Sequence, residues 1–295
     1  MLTAHIAALG AALCWAAGGL IAIGPVRAIG SLAFNRLRLA IVGAGLTVAA
    51  SVMGVWHTLE AEAALRLAAS ALAGIVMGDL ALFWSLSRLG PRRNVVIYAT
   101  NAPLTALLGW LVLGETLGPT TVLGIGFVTM GVMLAVALRS GNGHAWEAVQ
   151  GSLLAGVAVC LVAALGQATG SIIAKPAMAT GVHPIAAAAV RTVTAAGAML
   201  VLGLLFRERM AAGGSLTPRI ALLTAVNGFI GVGMGATLIM VALSYGNAGV
   251  VATLSAMSPV LILPMLWALT RQRPGLGAWV GAAIAVAGVG LIVNR

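Results

Sequence analysis

Asp79 stands near the middle of an apolar stretch, residues 65–86, in a chain whose charged residues make up only 7% of the sequence. A charged group is costly to keep among lipid tails, so this carboxyl group is expected to face protein, water or a ligand. Arg38 is expected at a similar depth, because each residue lies about two to two and a half helical turns from the same side of the membrane.

An acid and a guanidinium at one depth can neutralise each other, and a structural ion pair is one interpretation of Asp79 and Arg38. In the other interpretation, Asp79 takes up a proton or faces a cationic group during a functional cycle. Burial favours the neutral form of a carboxyl group, whereas a neighbouring arginine favours the ionised form. The sequence therefore leaves both interpretations open.

Other polar and aromatic side chains are sparse in the middle of the apolar stretches. Tyr98 and Asn101 are three residues apart just before Pro103, which predicts one helical face beside a carbonyl that the proline leaves free. Aromatic walls with a few polar groups suit small amphipathic ligands, although each such residue could equally join helices. The residues expected to line a cavity besides Asp79 and Arg38 are Trp15, Trp84, Tyr98, Asn101, Gln167, Asn227 and Ser255.

Apolar segments long enough to cross a bilayer position these residues. A composition of 61% hydrophobic residues, in a chain of 295, excludes a soluble domain. Crossing the hydrocarbon core takes about 20 apolar residues in a helix. Ten such segments run roughly over residues 3–23, 31–53, 66–87, 94–113, 120–138, 151–174, 184–205, 218–244, 249–269 and 276–293. The sequence predicts an all-α integral membrane protein with ten transmembrane helices.

Positive charge differs between the two sides of this topology. The side on which residue 1 lies, here the terminal side, carries Arg66, Lys175 and Arg295. The other side, here the arginine-rich side, carries Arg27, Arg88, Arg92, Arg93, Arg139, Arg207, Arg209, Arg219, Arg271 and Arg273. The positive-inside rule then predicts a multi-pass protein of the cell (inner) membrane with both termini outside. The net charge of +10 forms no contiguous basic face, so nucleic acid is not expected as a partner.

The second half of the chain repeats landmarks of the first. The matched pairs, at offsets of 152 to 157, are Gly18 with Gly170, Arg38 with Arg191, Gly78 with Gly235, Pro103 with Pro259 and Gly131 with Gly288. Offsets that drift by a few residues are what loop insertions leave after a duplication. Five helices per copy is an odd number, so the second copy is inverted. The predicted units are a first repeat at 1–140, a linker at 141–150 and a second repeat at 151–295.

Arg191 has no intramembrane acid to pair with, because Asp79 aligns with Ala236 in the second repeat. An unpaired cation at depth could hold a carboxylate or phosphate of a ligand. Alternatively, Arg191 snorkels or bonds backbone carbonyls at a helix break.

Several runs resemble one family of carriers. GDLALFWSLSRLGPRRNVVIYATNAPLTALLGWLVLGETL and VLGIGFVTMGVMLAV resemble the third to fifth helices of the EamA-type carriers of the drug/metabolite transporter superfamily. HPIAAAAVR and SPVLILPMLWAL resemble segments in the second half of the same carriers, so the resemblance covers essentially the whole chain. It implies a central cavity between two five-helix halves, export of small metabolites such as amino acids, and both termini in the cytoplasm. Gly114 and Glu115 match the family's Gly-Glu pair, and Thr270 and Arg271 are aligned with them in the second repeat.

The function predicted first is a secondary active exporter of small metabolites, with amino acids or related amphipathic compounds as substrates, alternating access as mechanism and proton coupling as an option. Efflux of drugs or toxic cations, with Asp79 as the recognition charge, is the alternative, and a structural or partner-binding membrane protein is the alternative outside transport. An intramembrane enzyme would need paired carboxylates, a nucleophile with its base, or metal ligands at depth. The predicted spans hold one acid and no central histidine, so catalysis, metal and cofactor are not expected. The oligomeric state stays open, and a monomer is compatible with the sequence.

Overall fold

The computed structural model describes residues 1–138, 151–206, 214–271 and 274–294, and the predicted linker at 141–150 lies outside these ranges. Within them, ten helices are long and apolar enough to cross a membrane, as predicted. They are α1 (Leu2–Ile29), α2 (Ser31–Val52), α3 (Ala61–Gly90), α4 (Arg93–Leu113), α5 (Pro119–Ala137), α6 (Leu153–Ala179), α7 (Pro184–Leu205), α8 (Pro218–Tyr245), α9 (Ala248–Leu269) and α10 (Leu276–Val293).

Local sequence signals fix several helix ends. Proline starts α5, α7 and α8, where its missing N–H costs no hydrogen bond and its fixed φ suits the first helical turn. The Thr217 hydroxyl caps α8 by accepting the backbone N–H of Ile220 at 3.3 Å. Gly114 ends α4 in the left-handed conformation at φ 64, which costs glycine no steric strain.

The helix contacts are symmetric between the two halves. Replacing each helix by the one five places later or earlier in the chain gives the same set of packed pairs. Helices α5 and α10 pack together, as do α2 and α7, and α4 and α9, so each of these helices packs on its own repeat counterpart. The contact of α3 with α6 recurs as the contact of α8 with α1. The duplication predicted from the sequence offsets is therefore present in the fold, and five crossings per copy invert the second half.

Glycines bring the backbones of α5 and α10 together. A side chain at Gly131 would overlap the backbone of Ala285, and a side chain at Gly281 would overlap the backbone of Ala135. Lipid supplies no hydrophobic drive for helix association, so close van der Waals packing of small residues holds this pair together.

Two π-helical segments lie at matching places in the repeats. They span Leu72–Met77 in α3 and Gly228–Met234 in α8, and the sequence reasoning did not predict them. A polar side chain one or two residues before each segment bonds a glycine carbonyl across the helix interface. The Ser70 hydroxyl donates to the Gly170 carbonyl at 2.6 Å, and the Asn227 amide donates to the Gly18 carbonyl at 2.6 Å. The widened turns thus coincide with the joints between the two halves.

Helices α4 and α9 are both interrupted. In α4 the helix ends at Tyr98 and restarts at Asn101, whose amide donates to the Tyr98 carbonyl at 2.7 Å. In α9 it ends at Ser255 and restarts at Ser258, whose hydroxyl donates to the Ser255 carbonyl at 3.1 Å. Tyr98 and Asn101, predicted on one helical face, are therefore directly bonded across the break.

The backbone also corrects the alignment of Gly114 and Glu115. Arg271 ends its helix at φ 55, which is the left-handed conformation of Gly114 at φ 64. Arg271 is therefore the counterpart of Gly114 at an offset of 157 residues, and the counterpart of Glu115 is position 272, outside the described ranges.

Candidate functional site

The Asp79 carboxylate is held by an amide from α2. Asn35, which is 0% exposed, donates from Nδ2 to Asp79 Oδ2 at 2.9 Å. Asp79 itself is half-buried, and its Oδ1 accepts no hydrogen bond from the described residues. One oxygen is therefore fixed while the other stays available to a proton or a ligand.

Arg38 reaches Asp79 only through Asn35. The Arg38 guanidinium donates to Asn35 Oδ1 at 2.5 Å, and its Cζ lies 5.3 Å from the centroid of the Phe34 ring. Its Nε has no hydrogen-bond partner within the described part of the chain. The predicted proximity of acid and guanidinium is thus present as an acid–amide–guanidinium chain. Across the described ranges, the ion pair with atoms within 4.0 Å is instead Arg66 with Glu62 at 2.6 Å.

The Arg191 guanidinium lies buried with almost no polar partner. The residue is 8% exposed, and its hydrogen bond within the described ranges goes to the Met240 thioether at 3.8 Å. Thioether sulfur is a weak acceptor, so the charge is largely uncompensated by the protein. The predicted absence of an acidic partner for Arg191 therefore holds among the described residues.

Gln167 converges with Arg191 on Gly74 of the π-helical segment in α3. From the position that a Cβ at Gly74 would take, Arg191 Nη2 and Gln167 Oε1 each lie 3.7 Å away. The Gln167 amide makes no hydrogen bond to other described residues. Two under-bonded polar groups thus flank a point where the backbone carries no side chain.

Two of the predicted cavity residues bond across the joint between the repeats. The Trp15 indole N–H donates to the Gly231 carbonyl at 3.0 Å. The Asn227 side chain is 2% exposed and donates from Nδ2 to the Gly18 carbonyl, as described above. Its Oδ1 lacks a partner within the described ranges.

The remaining predicted residues are spread along the central helices. Tyr98 lies within electrostatic range of Asp79. Ser255 donates within its own helix to the Ala252 carbonyl at 3.0 Å. Asn101 bonds the Tyr98 carbonyl at the break in α4. Trp84 is 40% exposed, with the Arg88 guanidinium 4.8 Å from its ring centroid. The structure therefore gathers Asp79, Arg38 and Tyr98 in one cluster and Arg191 with Gln167 in another.

The terminal side is closed where α4 meets α9. The second segment of α4 packs on the first segment of α9, with Gly249 against the backbone of Ala106. The second segment of α9, nearer the arginine-rich side, packs on α1, α5 and α10 rather than on α4 within the described ranges. The two interrupted helices thus converge at one end and diverge towards the other.

Two charged residues bind the turn between α8 and α9 at the closed end. Lys175 donates to the carbonyls of Leu243 and Gly246 at 2.6 and 2.8 Å. The Glu115 carboxylate accepts the Ala248 backbone N–H. We call this arrangement of Glu115 and Lys175 the turn clamp.

Two cavities lie near the helix ends and are not lined by the charged clusters. One of about 490 Å³ on the terminal side is lined by residues that include His5, Thr121 and Asn247. The other, of about 220 Å³ near the arginine-rich side, is lined by residues that include Arg36 and Leu216.

The ten-helix duplication agrees with comparisons to known proteins. The EamA-like transporter family matches residues 2–137 and 154–294, which is nearly the whole chain and one match per repeat. The chain belongs to the EamA-like transporter family. Membership makes it a multi-pass membrane transporter of the drug/metabolite transporter superfamily.

A solved structure supports the fold of this EamA-like chain. It is titled "Crystal structure of protein" and is 18% identical, with a TM-score of 0.83 over 100% of this chain and 97% of that one. At that identity the likeness concerns the fold alone. No curated protein matched the sequence.

Sequence reasoning missed Asn35 and the turn clamp. Asn35 lies five residues into α2, where a polar side chain resembles those common at a membrane border. The clamp joins residues far apart in sequence, since Glu115 and Ala248 are 133 positions apart. The lone lysine of the chain, at a helix end, was a signal that could have directed attention to it.

Proposed function

We propose that the protein is a secondary active transporter of the inner membrane that exports small amphipathic metabolites, amino acids among them, by alternating access. The observation that carries the proposal is the buried Arg191 guanidinium, which has a thioether as its acceptor within the described ranges. A buried cation that is poorly compensated by the protein favours an anionic group of a ligand.

The second cluster supplies a site of opposite charge on the same helix. Gly74, beside Arg191, and Asp79 are five residues apart in α3, or about 7 Å along a helix. Two hydrogen bonds of about 2.9 Å and the short distance between the charges of a zwitterion span about 9 Å. This axial spacing supports an α-amino acid that places its carboxylate at Arg191 and its ammonium group at Asp79.

The interrupted helices support alternating access. Breaks at matching positions in α4 and α9 allow each segment to move about its own end, and inverted repeats provide two equivalent poses of opposite orientation. Convergence on the terminal side with divergence on the other is one of those two poses. Proton coupling would act at Asp79, whose Oδ1 stays available.

Thermal stabilisation across a metabolite panel tests the substrate class, because a ligand that binds the folded state raises the melting temperature by mass action. We expect zwitterionic or anionic metabolites to stabilise the wild-type protein and to lose that effect in Arg191→Gln. Arg66→Gln is the matched control, since Arg66 pairs with Glu62 at the surface. Stabilisation that survives Arg191→Gln would remove Arg191 from the site. Uptake into inverted vesicles with and without a pH gradient then tests direction and coupling.

Efflux of cationic compounds is the second candidate, and the free Oδ1 of Asp79 favours it. In that case toxic organic cations stabilise the protein, Asp79→Asn abolishes growth protection against them, and Arg191→Gln leaves it intact.

A further inference from the structure

We propose that Asn35 is a positioning residue that ties the place of the Arg38 guanidinium to the charge state of Asp79. The inference deepens the proposed function, since it assigns a role in coupling to a residue outside both charged groups. Its physical basis is the chain Asp79–Asn35–Arg38, with bonds of 2.9 and 2.5 Å.

The orientation of the Asn35 amide is dictated by its neighbours. An ionised carboxylate only accepts hydrogen bonds and a guanidinium only donates them. One amide can satisfy both neighbours in a single orientation, with Nδ2 towards Asp79 and Oδ1 towards Arg38. Asn35 is 0% exposed, so water does not compete for either end.

Among the described residues, Arg38 has no second hydrogen-bond acceptor that would hold it in this place. Its Nε is unpartnered there, the Phe34 ring lies against its guanidinium, and its stem packs near Gly228. Losing the Asn35 oxygen therefore leaves a half-buried cation without an acceptor within the described ranges.

Among the groups around Asp79, the hydrogen-bonded series Asp79–Asn35–Arg38 has the main electrostatic influence on its carboxyl group. From α2 it faces Arg38 through Asn35, while Tyr98 of α4 lies within electrostatic range of both Asp79 and Cys160 of α6. Arg191 of α7 lies near Gly74, five residues earlier in the helix of Asp79. Helix α5 carries no titratable side chain in its span.

A proton or a ligand cation at Asp79 changes the whole chain. A proton removes the charge that strengthens the bond from Asn35, and an ammonium group competes with the neutral amide as a roughly twofold stronger donor. In either case the bond that orients Asn35 weakens, so the amide holds Arg38 less firmly. Occupancy of the acid is thereby passed to a guanidinium on another helix as a looser or tighter hold.

Infrared titration of the Asp79 carboxyl band tests the coupling, with Asp79→Asn identifying the band. The purified full-length protein is titrated as wild type, Arg38→Gln, Asn35→Leu and the double variant. In the wild-type background we expect Arg38→Gln to raise the protonation midpoint of Asp79 by about one pH unit, a tenfold change in proton affinity, because the guanidinium favours the ionised carboxylate. In the Asn35→Leu background the same change is expected to move it by less than half as much. A shift of at least half the wild-type value would show that Arg38 acts on Asp79 without Asn35, and would overturn the proposal.

Controls separate this role from a structural one. Thr47→Val on the same helix removes a hydroxyl that bonds only the Gly43 carbonyl, at 2.8 Å, and should leave both shifts unchanged. If Asn35→Leu does not fold, Asn35→Ser provides the background with the same criterion, because its side chain is too short to span acid and guanidinium. The titration needs no substrate, so its result can be interpreted even if the transport assay fails. A failed titration likewise leaves the result of the transport assay valid.

Discussion

Both carboxylate oxygens of Glu115 lie 2.9 Å from the backbone nitrogen of Ala248, so a residue two positions past the end of α4 holds the first turn of α9. Lys175 meanwhile bonds the carbonyls that end α8. An anion at a helix amino end and a cation at a carboxyl end both complement the helix dipole. The turn clamp thus fixes one short turn from both of its sides.

Glu115→Ala should lower the free energy of unfolding by about 1–2 kcal/mol, because the Ala248 N–H loses a charged acceptor in a partly buried place. Thermal unfolding in detergent measures the change. Glu62→Ala is the control, since its surface pair with Arg66 contributes at most about 0.5 kcal/mol. Equal losses in the two variants would contradict the clamp.

Lys175→Met should loosen the turn between α8 and α9 while keeping the apolar stem of the side chain. Freed carbonyls at Leu243 and Gly246 predict faster amide hydrogen exchange over residues 243–251. The start of α8, which Thr217 caps, serves as the internal reference in the same experiment. Unchanged exchange in the turn, with or without an effect elsewhere, would speak against the role of the lysine.

Gly131→Val should destabilise the protein strongly, by about 2 kcal/mol or more, because its Cβ would overlap the backbone of Ala285 in α10. Gly126 lies on the same helix with open space where a Cβ would stand, so Gly126→Val is the matched control. Yield and melting temperature of the two variants give the comparison. Similar behaviour would mean that the two helices are less tightly packed than described.

Trp15→Phe should cost about 0.5–1.5 kcal/mol of stability, since it removes the N–H that bonds the Gly231 carbonyl but keeps an aromatic ring. Ligand affinity should stay unchanged, because the indole serves the joint between repeats. Melting curves with and without a stabilising metabolite measure both quantities. A loss of affinity at constant stability would return Trp15 to the ligand site.

The spans and the duplication could be predicted because the bilayer imposes them on composition. Backbone groups in lipid must be satisfied within the helix, and apolar length therefore marks each crossing. The π-helical segments at Leu72–Met77 and Gly228–Met234 could not be predicted, because a single extra residue in a glycine-rich turn leaves the apolar pattern unchanged. The breaks in α4 and α9 were foreshadowed only by Pro103 and Pro259.

The site was predicted in its charges but not in its connections. Asp79, Arg38 and Arg191 are conspicuous because a bilayer makes them expensive. Asn35 was missed although its spacing of three from Arg38 places both on one face of α2, because its bond to Asp79 joins it to another helix. Helix joining was one alternative for Trp15 and Asn227, but their partners could not be predicted, since each bonds a backbone carbonyl more than 200 positions away.

The two repeats carry different charged residues, and in the proposed alternating-access cycle this difference separates the energies of the two orientations. Asp79 has alanine as its counterpart, and Glu115 binds a turn of the other copy, so swapping the roles of the halves does not reproduce the same energy. A bias of only about 1.4 kcal/mol populates one orientation tenfold over its mirror arrangement. Gene duplication supplied two matching helix frames, and under the proposed alternating access the charges kept in one of them favour a single orientation of the carrier at rest.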